Sequence, residues 1–266
     1  MAGDAPLQMV AVETGYEGKF DFPQRAGGPE LPYLLASVPR AGSTYFSHLL
    51  WRTGCLGAPL EYLNFLPLSP YGFAATSAEL QQQLWRSVLR RRCSTNGVFG
   101  LKVFTAQLQK LDQENPALLQ DVMAVMLPRD RPRHVIYLRR RDRVAQAVSF
   151  TRAALSGVWR KDQERSDPVP MEYSDERLEA AEREIAAQEQ VWARMFDDLR
   201  ITPLCMWHED AFADPAAATK QVADYIGVAI DPVAAIDVPS IEKQSEGDTL
   251  AWIERYASSR QSSSNL

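Results

Sequence analysis

The sequence predicts an α/β fold in which a parallel β-sheet carries helices on both faces. Short apolar runs typical of buried strands alternate with longer segments whose apolar residues recur at helical spacing. That alternation indicates parallel strands, because each return to the same edge of a sheet needs a crossover, usually a helix. The chain has 266 residues, 45% apolar and 24% charged, which suits one globular domain. We expect a loosely ordered arm over residues 1–30 and a single domain over 31–266.

The strands and helices can be placed from apolar spacing and from residues that begin or end helices. Gly54 suits the end of the first helix, and Asp214 with Pro215 suits the start of a later one that Gly227 ends. The predicted strands lie at 33–37, 97–104, 134–138 and 201–206. The predicted helices lie at 43–53, 78–92, 144–155, 175–200 and 215–226, with a last one around Trp252. The arginines of the second helix are expected on its solvated face; they are Arg86, Arg90, Arg91 and Arg92.

Charge and cysteine content exclude several classes of protein. The net charge is −5 and the pI is about 5.4, so a broad nucleic-acid surface is not expected. Three cysteines without C-x-x-C spacing indicate reduced thiols and a cytoplasmic protein. No apolar run approaches 18 residues and no basic-then-apolar leader begins the chain, so neither a membrane span nor a signal peptide is expected.

The stretch from Leu34 to Phe46 predicts a site for an anion. It reads as a buried strand, a tight turn and the first turn of a helix, whose N–H groups and dipole favour negative charge. The turn is P-loop-like, but a P-loop reads G-x-x-x-x-G-K-[ST]. Here Ser37 replaces the first glycine, Ser43 replaces the lysine, and the cation is Arg40. The turn therefore suits a phosphate or sulfate better than a nucleoside triphosphate with Mg²⁺.

Further cations follow other predicted strands directly. Lys102 lies near the end of the second strand and Arg139–Arg141 follow the third. Because the carboxyl ends of parallel strands share one edge, these groups should converge with Arg40 on a polyanion site. A kinase would need an acid there to hold Mg²⁺; three arginines occupy that place, and Asp142 is expected to cap the next helix. We therefore expect no metal.

Four segments, in order, resemble the motifs of sulfotransferases, and the resemblance covers residues 31–256. Pro39–Thr44 (PRAGST) resembles their 5′-phosphosulfate loop, and Leu138–Phe150 (LRRRDRVAQAVSF) resembles their 3′-phosphate segment. His208–Asp210 with Asp214–Pro215 and Tyr225–Gly227 resembles a third motif. Gln146–Phe150 followed by Gly157–Trp159 is closest to the bacterial trehalose and related carbohydrate sulfotransferases.

The resemblance implies transfer of a sulfuryl group from 3′-phosphoadenosine 5′-phosphosulfate (PAPS) to a hydroxyl of a carbohydrate, glycolipid or related small molecule. By position, the residues implied for the 5′-phosphosulfate are Arg40, Ala41, Gly42, Ser43 and Thr44. Arg141 and Ser149 are implied for the 3′-phosphate, with Arg140 as the alternative to Arg141. Lys243 lies where the family brings a second basic group to that phosphate.

Glu61 is the candidate general base, both from the resemblance and from the residues. A carboxylate between Leu60 and Tyr62 has apolar neighbours whose burial would raise its pKa, and an attacking hydroxyl needs a base; a surface acid is the alternative. Lys102 is expected near the sulfate, or else as a lysine extended along a strand end. Tyr62, Trp159 and Arg160 are expected to line the acceptor site, although the last two could instead anchor a loop.

The sequence identifies neither the acceptor nor the oligomeric state. Trehalose itself is in doubt, because Ala58 stands where the trehalose branch has an acid that helps to bind the disaccharide. The same branch suggests a homodimer. Two other functions are weighed: a regulator that binds the desulfated product PAP on the same scaffold, and a P-loop kinase for a small molecule.

Overall fold

The computed structural model describes residues 13–24, 27–159, 170–240 and 249–264, with side chains as far as residue 260. Its sheet has four parallel strands in the order β2-β1-β3-β4. The strands are β1 Leu31–Ser37, β2 Val98–Phe104, β3 His134–Arg139 and β4 Leu204–Trp207. The predicted α/β class with a parallel sheet is confirmed.

Helices connect the strands, and every helix predicted from the sequence is present. The helices of the described residues are α1 Ser43–Arg52, α2 Ala78–Arg91, α3 Thr105–Glu114, α4 Pro116–Met126, α5 Arg143–Ser156, α6 Asp175–Leu199, α7 His208–Ala213, α8 Pro215–Ile226 and α9 Thr249–Ser264. The sequence reading missed α3, α4 and α7. The signal for α4 was present, since Asn115 caps it by accepting from Leu118 N–H and Pro116 is its first residue.

Apolar side chains cover both faces of the sheet, as predicted. On β1, Leu34 and Ala36 pack on one face with Trp192 of α6. Tyr33 and Leu35 pack on the other face with Phe46 of α1. Successive residues of a strand face opposite sides, so a strand buried on both faces reads as the continuous apolar run seen in the sequence. Among the helices of the described residues, none is long and apolar enough to cross a membrane.

The strand order places a topological switch point at the carboxyl end of β1. The chain leaves β1 to form β2 on one side and later forms β3 on the other side. Connections from neighbouring strands then diverge to opposite faces, and ligands of open parallel sheets bind at such points. The turn after β1, over residues 38–42, lies there.

Residues 13–24 of the N-terminal arm pack on the domain instead of lying free of it. Arg92, expected on a solvated face, is 2% exposed. Its guanidinium donates to the carbonyl oxygens of Gly15 and Glu17. It also forms an ion pair with Asp21, with 3.0 Å between Arg92 Nε and Asp21 Oδ1. The pattern of α2 could not show this, because the partners of Arg92 are backbone oxygens of a distant segment. Residues 1–12 lie outside the described residues.

We expect Arg92→Met to lower the free energy of unfolding by about 3 kcal/mol, because the acid and the carbonyl groups lose a buried donor. Urea denaturation of both proteins measures the difference. Arg86→Met, at an exposed position of α2, is the control and should change the free energy by less than about 0.5 kcal/mol. Equal effects of the two substitutions would contradict the anchoring role.

Candidate active site

The turn between β1 and α1 presents backbone N–H groups at a helix start. Arg40 and Gly42 both have positive φ angles, 66° and 76°. The helix begins at Ser43 without a side-chain cap from Gly42. The N–H groups of a first helical turn have no partner within the helix. Together with the helix dipole they suit an anion at this turn, as the sequence predicts.

Gly42 is required at its position for two reasons. Its φ angle lies in the left-handed region, which disfavours any residue with a Cβ atom. A Cβ atom there would also lie 2.2 Å from Nδ1 of His208 and 3.1 Å from the ring of Phe212. The first turn of α7 therefore packs directly against the turn after β1.

Arg40 joins the turn to α5 and to the segment that follows it. Its Nε donates to Ser149 Oγ at 2.8 Å and its Nη1 donates to the carbonyl oxygen of Trp159 at 2.9 Å. Arg140 donates from Nη1 to the carbonyl oxygen of Arg40 at 3.2 Å. Burial and the neighbouring Arg140 charge lower the pKa of Arg40 to about 10. Both effects disfavour the positive charge, so a bound anion would relieve them.

Arg140 has unused hydrogen-bonding capacity at this cluster. Burial lowers the pKa of Arg140, although the charges of Asp142 and Glu209 act in the opposite direction. Its Nε is buried and has no hydrogen-bond partner among the described residues. A buried donor without a partner costs free energy, and an anion that accepted from it would remove that cost.

Arg141 lies apart from the cluster. It pairs with Asp210 through two hydrogen bonds of 2.6 and 2.7 Å, and about half of its side chain is exposed. Its backbone N–H donates to Glu209. Asp142 caps α5 by accepting from the Ala145 N–H, as predicted. The structure thus brings Arg140, rather than Arg141, to Arg40, which also binds Ser149.

Lys102 connects the two halves of the predicted site. A bridge between Leu60 and Leu101, with Lys102 N–H donating to the carbonyl oxygen of Leu60, holds residue 61 beside β2. Nζ of Lys102 lies 2.9 Å from Glu61 Oε1 and donates to Thr44 Oγ1 at 3.0 Å. The side chain of Lys102 is 3% exposed. A buried cation therefore lies between the candidate base and the first turn of α1.

Two amide side chains also bind Glu61, and the sequence reading missed both. Asn64 Nδ2 and Gln107 Nε2 donate to Glu61 Oε2 at 3.2 and 3.0 Å. Burial by itself would raise the pKa of Glu61, but the Lys102 ammonium and these hydrogen bonds hold it below its ordinary value. The expected rise in pKa is therefore wrong. Gln107 belongs to α3, so recognising that helix would have been the signal for it.

The predicted acceptor residues differ in how accessible they are. Tyr62 is 2% exposed, stacks on Phe99 and donates its hydroxyl to the carbonyl oxygen of Ala58. That burial contradicts its expected place in the lining of the acceptor site. Trp159 is 42% exposed and packs edge-to-face on Phe150. Arg160 and Lys243 lie outside the described residues.

A second basic region lies at the amino ends of β3 and β4, away from the candidate site. Its cleft of about 990 Å³ is lined by Arg129, Arg131, Pro132, Arg133, Arg200, Ile201 and Thr202. Arg131 donates to the carbonyl oxygen of Glu30 and Arg133 to that of Leu199. These bonds give both arginines a structural role. Within the part of the chain described here, no group of three His, Cys, Asp or Glu side chains is placed to hold a metal ion.

Comparison with known proteins identifies one family and two similar proteins. The profile of the family described as Stf0 sulphotransferase matches residues 32–259. Trehalose 2-sulfotransferase of Mycobacterium tuberculosis is 29% identical over 259 residues, covering 85% of this chain and 94% of that protein. Trehalose 2-sulfotransferase of Mycolicibacterium smegmatis is 27% identical, covering 84% and 93%. Among solved structures, the sulfotransferase domain from the Synechococcus PCC 7002 olefin synthase gives a TM-score of 0.42 at 17% identity, covering 89% and 98%.

We expect Gly42→Ala to be more destabilising than Gly157→Ala by about 2 kcal/mol, because only the first adds a steric conflict. Both glycines have positive φ angles, but a Cβ atom at Gly157 would meet nothing within 4 Å. Urea denaturation of the two variants measures the difference, since the backbone cost is common to both. Equal losses would mean that α7 does not pack tightly on the turn.

Proposed function

Because the chain belongs to the Stf0 sulphotransferase family, we propose that it transfers a sulfuryl group from PAPS to a hydroxyl of a carbohydrate, glycolipid or related small molecule. The resemblance found in the motifs is thereby confirmed at the level of the family. One observation carries the finer proposal: buried Lys102 contacts both Glu61 and Thr44 of the anion-binding turn. A base and a turn suited to phosphosulfate are thus joined through one cation.

The turn and its arginines supply the donor site. The N–H groups at the start of α1, with Ala41, Gly42, Ser43 and Thr44, hold the 5′-phosphosulfate, and Arg40 stabilises charge on the leaving oxygen. Arg140 and Ser149 hold the 3′-phosphate. The unpartnered Nε of Arg140 and its contact with Arg40 support this choice over Arg141. Lys243, proposed from the resemblance alone, contributes a further cation.

Glu61 deprotonates the acceptor. The proton of the acceptor hydroxyl passes to the carboxylate while the hydroxyl oxygen forms a bond to sulfur. The bond between sulfur and the phosphate oxygen breaks, and its electron pair stays on the phosphate, giving PAP. Lys102 and Arg40 stabilise the negative charge on the transferred and leaving groups. Since the pKa of Glu61 is below its ordinary value, the base is already ionised at neutral pH.

The acceptor is proposed to be a sugar or a compound that carries one. The two relatives are described as trehalose 2-sulfotransferases, which supports trehalose as the first acceptor to assay. Ala58 offers no carboxylate for a disaccharide and is fully buried, so a different sugar remains part of the proposal. Trp159 and Arg160 are proposed to line its site. The homodimer and the cytoplasmic location stay predictions.

We expect PAP to stabilise the protein by about 2.7 kcal/mol at 100 times its dissociation constant, measured as a shift in thermal unfolding. ATP–Mg²⁺ at the same concentration should give no shift. Arg140→Ala and Ser149→Ala should abolish the shift because they remove the proposed 3′-phosphate contacts, whereas Arg141→Ala should keep it. Stabilisation by ATP–Mg²⁺ alone would favour a kinase, and loss of the shift in Arg141→Ala alone would return the 3′-phosphate to Arg141.

We expect Glu61→Gln to lower kcat by about 10²–10⁴-fold while the stabilisation by PAP is retained, because only proton transfer is lost. The assay follows sulfuryl transfer from labelled PAPS to trehalose and to a panel of sugars. Glu79→Gln, at an exposed position of α2, is the matched control. A wild-type protein that binds PAP normally but sulfates nothing in the panel would favour the regulatory function instead.

A further inference from the structure

The two oxygens of the Glu61 carboxylate are bound by different kinds of group. Oε2 accepts from the neutral amides of Asn64 at 3.2 Å and Gln107 at 3.0 Å. Oε1 lies 2.9 Å from the Lys102 ammonium. The side chain of Glu61 is 19% exposed, whereas that of Lys102 is 3% exposed. Part of the Glu61 side chain is thus exposed to solvent, whereas its cationic partner is enclosed.

Both amides have their orientation fixed by the backbone. The Gln107 carbonyl oxygen accepts from Phe104 N–H at 3.1 Å, at the start of α3, and the Asn64 carbonyl oxygen accepts from Leu66 N–H at 3.2 Å. An amide side chain has one accepting and one donating end. With the accepting ends occupied by N–H groups, the donating ends must face Glu61. Reversing either amide would place two acceptors together at Glu61 and two donors together at the backbone N–H group.

Lys102 differs from the amides because it is shared with the anion-binding turn. Its ammonium also donates to Thr44 Oγ1 at 3.0 Å, in the first turn of α1. A lysine has three donors on a flexible stem, so a small rotation exchanges one acceptor for another. A sulfuryl group placed at the start of α1 would add negative charge next to this ammonium. The ammonium would then have a competing partner for its contact with Oε1.

Building on the proposed function, we propose that Asn64 and Gln107 are positioning residues that hold Oε2 of Glu61 and leave Oε1 to take the proton of the acceptor hydroxyl. Lys102 covers Oε1 until the donor binds and then turns toward the sulfuryl group. The proton moves from the acceptor oxygen to Oε1 as that oxygen bonds to sulfur, and the electron pair of the broken sulfur–oxygen bond leaves with PAP. The base is therefore uncovered only when the donor is present.

The groups that contact Glu61 determine how its pKa should respond when one of them changes. They are Lys102 from β2, Asn64 from its own loop and Gln107 from α3, while the backbone N–H of Glu61 donates to the hydroxyl of Tyr16. Lys102 is the charged group among the side-chain partners that shift its pKa. Removing that charge from Oε1 raises the pKa of Glu61, so the base is stronger when the donor is bound.

Gln107→Glu tests the role of the amide. The new carboxylate can still accept from Phe104 N–H, as an acid at this position of a capping box does, but it replaces the donor to Oε2 by a like charge. We expect the pKa of Glu61 to rise by about one unit or more, read from the ¹³C signal of labelled glutamate and assigned with Glu61→Gln. The acidic limb of kcat against pH should move upward equally.

Gln83→Glu is the matched control. Gln83 Nε2 donates to Glu79 Oε1 at 3.1 Å on the exposed face of α2. The substitution therefore also replaces an amide donor to a glutamate by a carboxylate, but away from the site. It should leave both the titration of Glu61 and the pH profile unchanged. Asn64→Asp, which keeps an oxygen for Leu66 N–H, tests the second amide and should act like Gln107→Glu. Titrations that match the control in both variants would overturn the positioning role.

The turning of Lys102 is tested in the same labelled protein with PAPS in the absence of an acceptor. PAPS should raise the pKa of Glu61 more than PAP does, because PAP lacks the sulfuryl group. An equal effect of the two nucleotides would overturn the uncovering of Oε1. If the amide variants shift the titration while no sugar is sulfated, the proposed function fails and the positioning role stands.

Discussion

Ser37, the last residue of β1, pairs with Phe104 of β2 on one side and with Leu138 of β3 on the other. The three strands therefore end at the same level. The carbonyl oxygen of Ser37 accepts from Trp192 Nε1 at 2.9 Å, and its hydroxyl donates to the carbonyl oxygen of Leu138 at 3.0 Å. This buried junction fixes where the turn after β1, the end of β2 and the arginines after β3 lie. The candidate site depends on that register.

The site concentrates cations in a chain whose net charge is −5. Lys102 is buried and Arg40 and Arg140 are half-buried, and the loss of solvent lowers the pKa of each arginine. Buried charges are weak evidence for stability, because desolvation offsets much of the attraction between them. Their arrangement is better explained by a ligand that supplies negative charge.

The N-terminal arm contributes to the same arrangement through Tyr16. Its hydroxyl accepts from the backbone N–H of Glu61 at 3.0 Å, and its ring packs edge-to-face on Tyr62 and Tyr71. The arm itself is held by Arg92. The buried Arg92, which directly follows α2, is in this way connected to the placement of the candidate base.

The sequence by itself determined the parallel α/β class and the motifs of the family. It also showed which strands are followed by a cation at their carboxyl ends. Apolar periodicity and the turn after β1 are local properties, so one segment at a time is enough to reveal them. Only the tertiary structure brought Arg140 to Arg40 and paired Arg141 with Asp210, because adjacent residues at a strand end can face different neighbours. It also buried Tyr62 and reversed the expected pKa shift of Glu61. Apolar neighbours in the sequence predicted desolvation, whereas Lys102, Asn64 and Gln107 come from three different segments, and their combined effect depends on distances that only the fold sets.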